Sequence, residues 1–189
     1  KHPKLIAIGK PLTAAKNVEQ RAIYMREESK TRELRRLLRN EPGTVIVFTR
    51  SKDGATHLWR SLHVSGVYDA VYLHSDKTQA HREQALADFK EGKYRILIAT
   101  DVAGRGIHVE DVAHVVNYDL PMEPEDYVHR IGRTGRAGKL GTTIMICTPR
   151  DDKNFADVER LLQTEIPRLD NPLGASAPTA PEANDESDE

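Results

Sequence analysis

Eight consecutive residues, His129-Arg130-Ile131-Gly132-Arg133-Thr134-Gly135-Arg136, hold three arginines, one histidine and two glycines. A guanidinium offers fixed N–H donors that match phosphate oxygens two at a time, so this mixture suits phosphate binding better than core filling. Arg133 and Arg136 sit three apart among Gly132, Gly135 and Gly138. There the backbone can take left-handed conformations, and both forks can turn toward one ligand. A triphosphate is such a ligand. Taken alone, the segment also fits an arginine- and glycine-rich surface turn that solvates itself.

These side chains need an element to present them. Pro124-Glu125-Asp126-Tyr127-Val128 carries the marks of a helix start, with proline in the first turn and acids at the positive end. Tyr127, Val128 and Ile131 then form one apolar stripe, and the helix is expected to stop near Gly132. Elsewhere, short apolar runs alternate with helical patterns. Strands are expected at Thr44 to Phe48, Ala70 to Leu73, Ile96 to Ala99, Ala113 to Val116 and Thr142 to Cys147. Helices are expected over Ser29 to Leu38, Lys52 to Val64, Thr78 to Phe89, Pro124 to Ile131 and Asp151 to Leu162. Continuous apolar strands joined by helices mean a parallel sheet covered on both faces, an open three-layer α/β domain. Ligands collect beyond the carboxyl ends of such strands, which puts Arg50, the His74-Ser75-Asp76 turn and the Thr100 to Gly106 loop on one functional edge.

At 189 residues and 38% hydrophobic, the chain can bury one sizeable core. No run of about 18 apolar residues and no basic-then-apolar leader occurs, so neither membrane insertion nor secretion is indicated. The single Cys147, inside an apolar run, reads as a packed side chain in a reducing, cytoplasmic setting. Residues 170-189 contain Asp170, Glu182, Asp185, Glu186, Asp188 and Glu189 and no base, leaving a basic excess on the rest. That excess permits nucleic-acid contact without requiring it. The tail lacks large apolar residues from Ala175 on and is expected to be disordered. Its Asp185-Glu186-Ser187-Asp188 spells a nucleotide-hydrolysis box, but such a box must hang from a buried strand, and the match is rejected. His57, His63, His81 and His114 lack metal-ligand spacing, and no metal site is expected. Trp59, with Leu58 and Leu62, is expected in the core.

Over roughly residues 20-165 the chain resembles the second RecA-like domain of DEAD-box RNA helicases. Val45-Ile46-Val47-Phe48-Thr49-Arg50 resembles motif IV, Gln79-Ala80-His81-Arg82 the Q-x-x-R motif, Ala99 to Ile107 motif V and His129 to Arg136 motif VI. The last two at this spacing are highly specific, and the leading His129 is similar to the DEAD-box group rather than to groups that carry Gln there. The resemblance implies a RecA-like, P-loop NTPase-like fold and an ATP cleft shared with an N-terminal RecA-like domain of the same parent chain, with RNA crossing both. Arg136 is then the arginine finger, Arg133 its companion on the phosphates, and His129 the link to the partner domain. Gly104, Arg105, Asp101 and His108 fall at the nucleotide, while Arg50, Gln79, Arg82 and Thr100 touch or support the RNA backbone. By themselves Gln79 and Arg82 also fit an exposed helix face, and Asp101 and Arg105 a solvated pair on a turn.

The chain departs from the family pattern in three places. His108 stands where the family's motif V usually has an aspartate that holds the ribose, which exchanges a fixed anion for a neutral hydrogen-bonding group. Ser75 replaces a usual glycine and resists positive φ. No G-x-x-x-x-G-K-[ST] occurs, so ATP and Mg2+ would be held mainly by the absent N-terminal domain, and the isolated chain is expected to be inactive. The expected organisation is a lead-in segment over 1-20, the helicase C-terminal domain over 21-169 and the acidic tail over 170-189. The competing expectation is a non-catalytic module that binds RNA or a protein regulator.

Overall fold

The computed structural model describes residues 17–169. The acidic tail, its rejected D-E-x-D match and most of the expected lead-in segment lie outside the described residues. Seven strands run β1 (Val18–Tyr24), β2 (Val45–Thr49), β3 (Ala70–Leu73), β4 (Ile96–Thr100), β5 (His114–Asn117), β6 (Gly141–Cys147) and β7 (Arg168–Leu169). Six helices join them: α1 (Lys30–Asn40), α2 (Lys52–Val64), α3 (Gln79–Lys90), the single turn α4 (Asp101–Gly104), α5 (Pro124–Ile131) and α6 (Asp152–Leu162). The strands form one sheet in the order β3-β4-β2-β5-β6-β1-β7, and every pairing is parallel. All carboxyl ends therefore share one edge.

Alternation along each strand divides the core into two faces, as the two-residue side-chain period requires. Val45 and Val47 of β2, Ile96 and Ile98 of β4 and Ile144 and Ile146 of β6 meet Leu34, Leu37 and Leu38 of α1 and Leu58 and Leu62 of α2. On the other face Ile46, Phe48, Leu97 and Ala99 meet Ala85 and Phe89 of α3 and Ala103 of α4. Further along that face, Met145, Cys147 and Tyr24 pack on Tyr127 and Ile131 of α5 and Phe155 and Val158 of α6. This gives the expected three layers, with helices on both faces. Cys147 is fully enclosed, and burial pushes its thiol pKa up.

The elements differ from the sequence expectation mainly at β1 and β7. The strand β1 starts at Val18, inside the expected lead-in segment, and pairs with β6 along its whole length. Its sequence Val18-Glu19-Gln20-Arg21 is interrupted by polar residues because that end is partly exposed. The two residues of β7 are too few to show a period. Trp59 is only partly buried: its indole N–H donates to the Ala70 carbonyl at 3.0 Å, and its ring stacks on His63 and packs at a tilt against Tyr72 of the edge strand β3.

The loop after α5 uses the expected glycines selectively. Gly132 is right-handed, with φ of −60°, while Gly135, Ala137 and Gly138 have φ of 69°, 54° and 76°. At Gly135 a Cβ would lie 2.5 Å from Val18 Cγ2 and 3.0 Å from the Asn17 carbonyl oxygen. Left-handed strain and overpacking add there, so Gly135→Ala is expected to destabilise by about 2–4 kcal/mol. Chemical denaturation checks this against Gly138→Ala, where nothing lies within 4 Å of a Cβ and only the smaller backbone term applies.

Candidate functional site

The site is organised around a residue for which the sequence suggested no role. Arg130 is 1% exposed, and its Nε and Nη2 each donate at 2.7 Å to the two carboxylate oxygens of Asp101. Its Nη1 donates to Asn117 Oδ1 at 3.0 Å and to the Asp119 carbonyl at 2.7 Å, and the guanidinium lies 4.9 Å from the centre of the Phe48 ring. The helical phase carried the signal. At 100° per residue Arg130 shares the inward stripe with Tyr127 and Ile131, whereas Val128 falls on the flank and is only partly buried. Asp101 and Arg105 are consequently not a pair. Asp101 faces Arg130, and Arg105 reaches Asp126 at 2.9 Å while remaining 66% exposed.

Arg130 thus clamps α4, at the end of β4, to α5 and the end of β5. The clamp sets the position of Arg133, whose Nη1 donates to the Ile107 carbonyl at 2.5 Å and whose Nη2 donates to the Gly104 carbonyl at 2.9 Å. Burial and the nearby positive charge of Arg136 both pull the Arg133 pKa down, with Glu110 opposing. Asp101, Gly104, Arg105, His129, Arg130 and Arg133 share one open cleft with Phe48 and Asp126. A Cβ at Gly104 would meet Phe48 Cε1 at 3.1 Å, so glycine permits this close approach. His129 is 71% exposed and 3.8 Å from Asp126.

Arg136 stands beside this cleft. Its Nε donates to the Gly132 carbonyl at 2.6 Å and its Nη1 lies 2.9 Å from Glu110, a pair in which both side chains are about half exposed. Glu110 also lines the neighbouring groove, and His108 belongs to that groove together with Thr44, Phe89 and Lys90. The structure therefore sets His108 apart from the Arg133 cleft. Thr134 is buried and structural, donating to the Val112 carbonyl.

The four expected RNA residues follow the carboxyl edge but do not form a single cluster. The Arg50 backbone N–H donates to Asp119 Oδ2 at 2.9 Å, and its half-exposed side chain reaches toward Asp151 at 4.0 Å. The Thr100 hydroxyl is buried and caps α4 by accepting from the Ala103 N–H at 3.4 Å. Gln79 opens α3 and donates to Glu83, and Arg82, one turn on, makes no ion pair among the described residues. Between them, Lys52 and Asp76 meet at 2.8 Å, and that contact lowers the Asp76 pKa. Ser75 does not adopt the left-handed conformation. Asp119 joins Arg50 to the Arg130 clamp, since its carbonyl accepts from Arg130 at 2.7 Å, and its other carboxylate oxygen accepts from the buried Lys30 at 2.9 Å. Burial pulls the Lys30 pKa down, but Asp119 and Glu27 outweigh it and leave the amine more basic than usual.

Among the described residues no helix is long and apolar enough to cross a membrane, and no three His, Cys, Asp or Glu side chains converge to hold a metal ion. His114 is structural, bonded to Thr142 and, at 2.7 Å, to the Pro42 carbonyl.

The all-parallel seven-stranded sheet with helices on both faces is the fold of RecA-like helicase C-terminal domains, and residues 29–138 match the helicase conserved C-terminal domain. The chain belongs to that family and is a DEAD-box C-terminal domain. It is 43% identical over 157 residues to the DEAD-box ATP-dependent RNA helicase CshA of Bacillus cereus, covering 82% of this chain and 30% of that protein. The chain thus spans about a third of the length of the curated relatives it matches. A DEAD box protein from the hyperthermophile Methanococcus jannaschii superposes with a TM-score of 0.77 at 42% identity, over 82% of this chain and 42% of that one. Dbp5 of S. cerevisiae, solved bound to RNA and ADP BeF3, gives a TM-score of 0.75 at 32% identity over the same shares.

Removing one partner of a buried ion pair leaves the other charge without compensation, at a typical cost of about 3–5 kcal/mol. Asp101→Ala strands the enclosed Arg130 guanidinium and is expected to destabilise by roughly that amount. Arg105→Ala, which breaks only an exposed pair, is expected to cost about 1 kcal/mol or less. Urea unfolding of the two variants compares them directly; equal, small losses would contradict the clamp.

Proposed function

We propose that this chain is the C-terminal half of an ATP-dependent RNA helicase, working with an N-terminal RecA-like domain of the same parent chain in the cytoplasm. The observation that carries the reading is the seating of Arg133 against the Gly104 carbonyl, in one cleft with Asp101, Arg105 and His129, while Arg136 stands beside it on a half-exposed ion pair. A guanidinium placed this way can exchange a carboxylate for a phosphate. Charge spreads over the equatorial oxygens during phosphoryl transfer, and Arg136 supplies the finger that meets it, with Arg133 on the neighbouring oxygens.

His129, exposed on the outer end of α5, contacts the partner domain. Arg105, Asp101 and Gly104 shape the wall of the nucleotide site, and His108 offers an imidazole nitrogen to hydrogen-bond the ribose from the adjoining groove. Arg105 and Arg133 offer positive charge to one side of a triphosphate lying across the mouth of the cleft, and the sequence carries no phosphate-cradling G-x-x-x-x-G-K-[ST] loop. Mg2+ and the attacking water belong to the other domain, and this chain alone would not turn over ATP.

On the RNA side, Arg50, Gln79 and Arg82 line the carboxyl edge and address sugar and phosphate, which gives sequence-tolerant binding. Thr100 fixes the α4 turn there through its cap. A relative at 32% identity, Dbp5, is solved bound to RNA and ADP BeF3, which supports the reading that a protein of this kind meets both ligands.

In the parent chain, Arg136→Ala is expected to lower the ATPase rate by about 10³–10⁵, the range typical of finger loss, with little change in RNA affinity in the absence of nucleotide. Arg82→Ala is expected to do the reverse, weakening RNA binding first. Steady-state ATPase and RNA titration of both variants test the assignment; near-normal ATPase in Arg136→Ala would remove it.

A further inference from the structure

The helix α1 carries a row of cations that neither the nucleotide cleft nor the RNA edge uses. Arg32, Arg35 and Arg39 lie three and four residues apart, on one side of the helix. None of them forms an ion pair among the described residues. The acids nearby are already engaged: Glu33 is fully buried against Arg36, Glu41 is held by Arg21 and Glu27 by Lys30. Like charges at this spacing destabilise a helix by a few tenths of a kcal/mol each. The stripe spans about 10 Å and lies on the face opposite α3 to α6, so it is remote from the Arg133 cleft.

We propose that the acidic segment Glu182 to Glu189 of this same chain docks on the Arg32-Arg35-Arg39 stripe. Three observations select this occupant. The segment holds five of the six acids beyond Leu169 and no base, which makes it the electrostatic complement of the stripe. The last described strand, β7, pairs with β1 so that Leu169 lies beside Ile23, close to where β1 leads into α1. From that point the residues up to Glu182 can extend to roughly 40 Å, more than the ~16 Å length of α1. A tethered segment also acts at an effective concentration in the millimolar range, which favours it over a free polyanion of similar charge. The carboxyl edge competes less well, since Lys52 is paired with Asp76, Arg50 leans toward Asp151, and the unpaired Arg82 is the one arginine on α3 and not part of a row. Docking would screen α1 from other anions.

The test uses the full chain with Ser187→Cys carrying a nitroxide spin label; Cys147 is fully enclosed and escapes labelling. At low ionic strength the label is expected to erase amide NMR signals of Thr31 to Asn40 and spare those of Gln79 and Arg82. Raising salt to about 1 M, where the Debye length falls to roughly 3 Å, should restore them. In the labelled chain carrying Arg35→Gln and Arg39→Gln together, loss of two exposed ion pairs is expected to lower the docked-to-free ratio roughly 2- to 30-fold. Signal loss at Gln79 and Arg82 instead of α1, no loss anywhere, or loss that ignores salt would each overturn the proposal. So would α1 signals that ignore the label but shift on adding a single-stranded oligouridylate, an outcome that assigns the stripe to RNA.

Discussion

Everything at the carboxyl edge depends on one guanidinium that is enclosed in the fold. Arg130 places four of its N–H donors on Asp101, Asn117 and the Asp119 carbonyl, with its flat face against Phe48. Such a group is costly to desolvate, and a well-packed apolar side chain in its place need not be less stable. What it provides is geometric: a planar fork with fixed directions holds the end of β4, the end of β5 and α5 in one mutual register. An apolar contact could slide; this one cannot.

The consequence is a division between two neighbouring arginines. Arg133 is tied to two backbone carbonyls and half withdrawn from water, so its direction is set before any ligand arrives. Arg136 has a carbonyl and a half-exposed Glu110, an interaction of a kind that contributes about 1 kcal/mol or less and is readily exchanged. Backbone at Gly135, Ala137 and Gly138 lies in the left-handed region on either side of it. A rigid fork beside a releasable one, both flanking an open cleft, is what the proposed shared nucleotide site requires. Asp119 extends the same framework toward Arg50 on the carboxyl edge, holding Lys30 from one side and the Arg50 backbone from the other.

The layers and most elements were legible in the sequence because buried parallel strands are continuous apolar runs and the helices between them keep a clear stripe. The helix α5 was legible to the residue, since Pro124 and the acids mark its start and Gly132 its end. The strand β1 was obscured by Glu19, Gln20 and Arg21 at its partly exposed end, and β7 by its length. At the site, the residue types on the 129–136 segment pointed to Arg133 and Arg136 but hid Arg130, because arginine is read as a surface residue unless its helical phase is worked out. The partners of Asp101 and Arg105 depend on contacts distant in sequence, and no local spacing encodes them. His108 shows the same limit: it follows Gly106 and Ile107 closely in the chain, yet the turn carries it into a different groove.

Hydrogen exchange at the Arg130 Nε–H tests the central claim most directly, because that proton is donated to Asp101 inside the fold. In ¹⁵N-labelled protein the signal is expected to be resolved and to exchange as slowly as the backbone amides of β4 and β5, while the Arg136 Nε–H exchanges fast. An Arg130 signal averaged with the exposed arginines, or one that exchanges as fast as Arg136, would contradict the account.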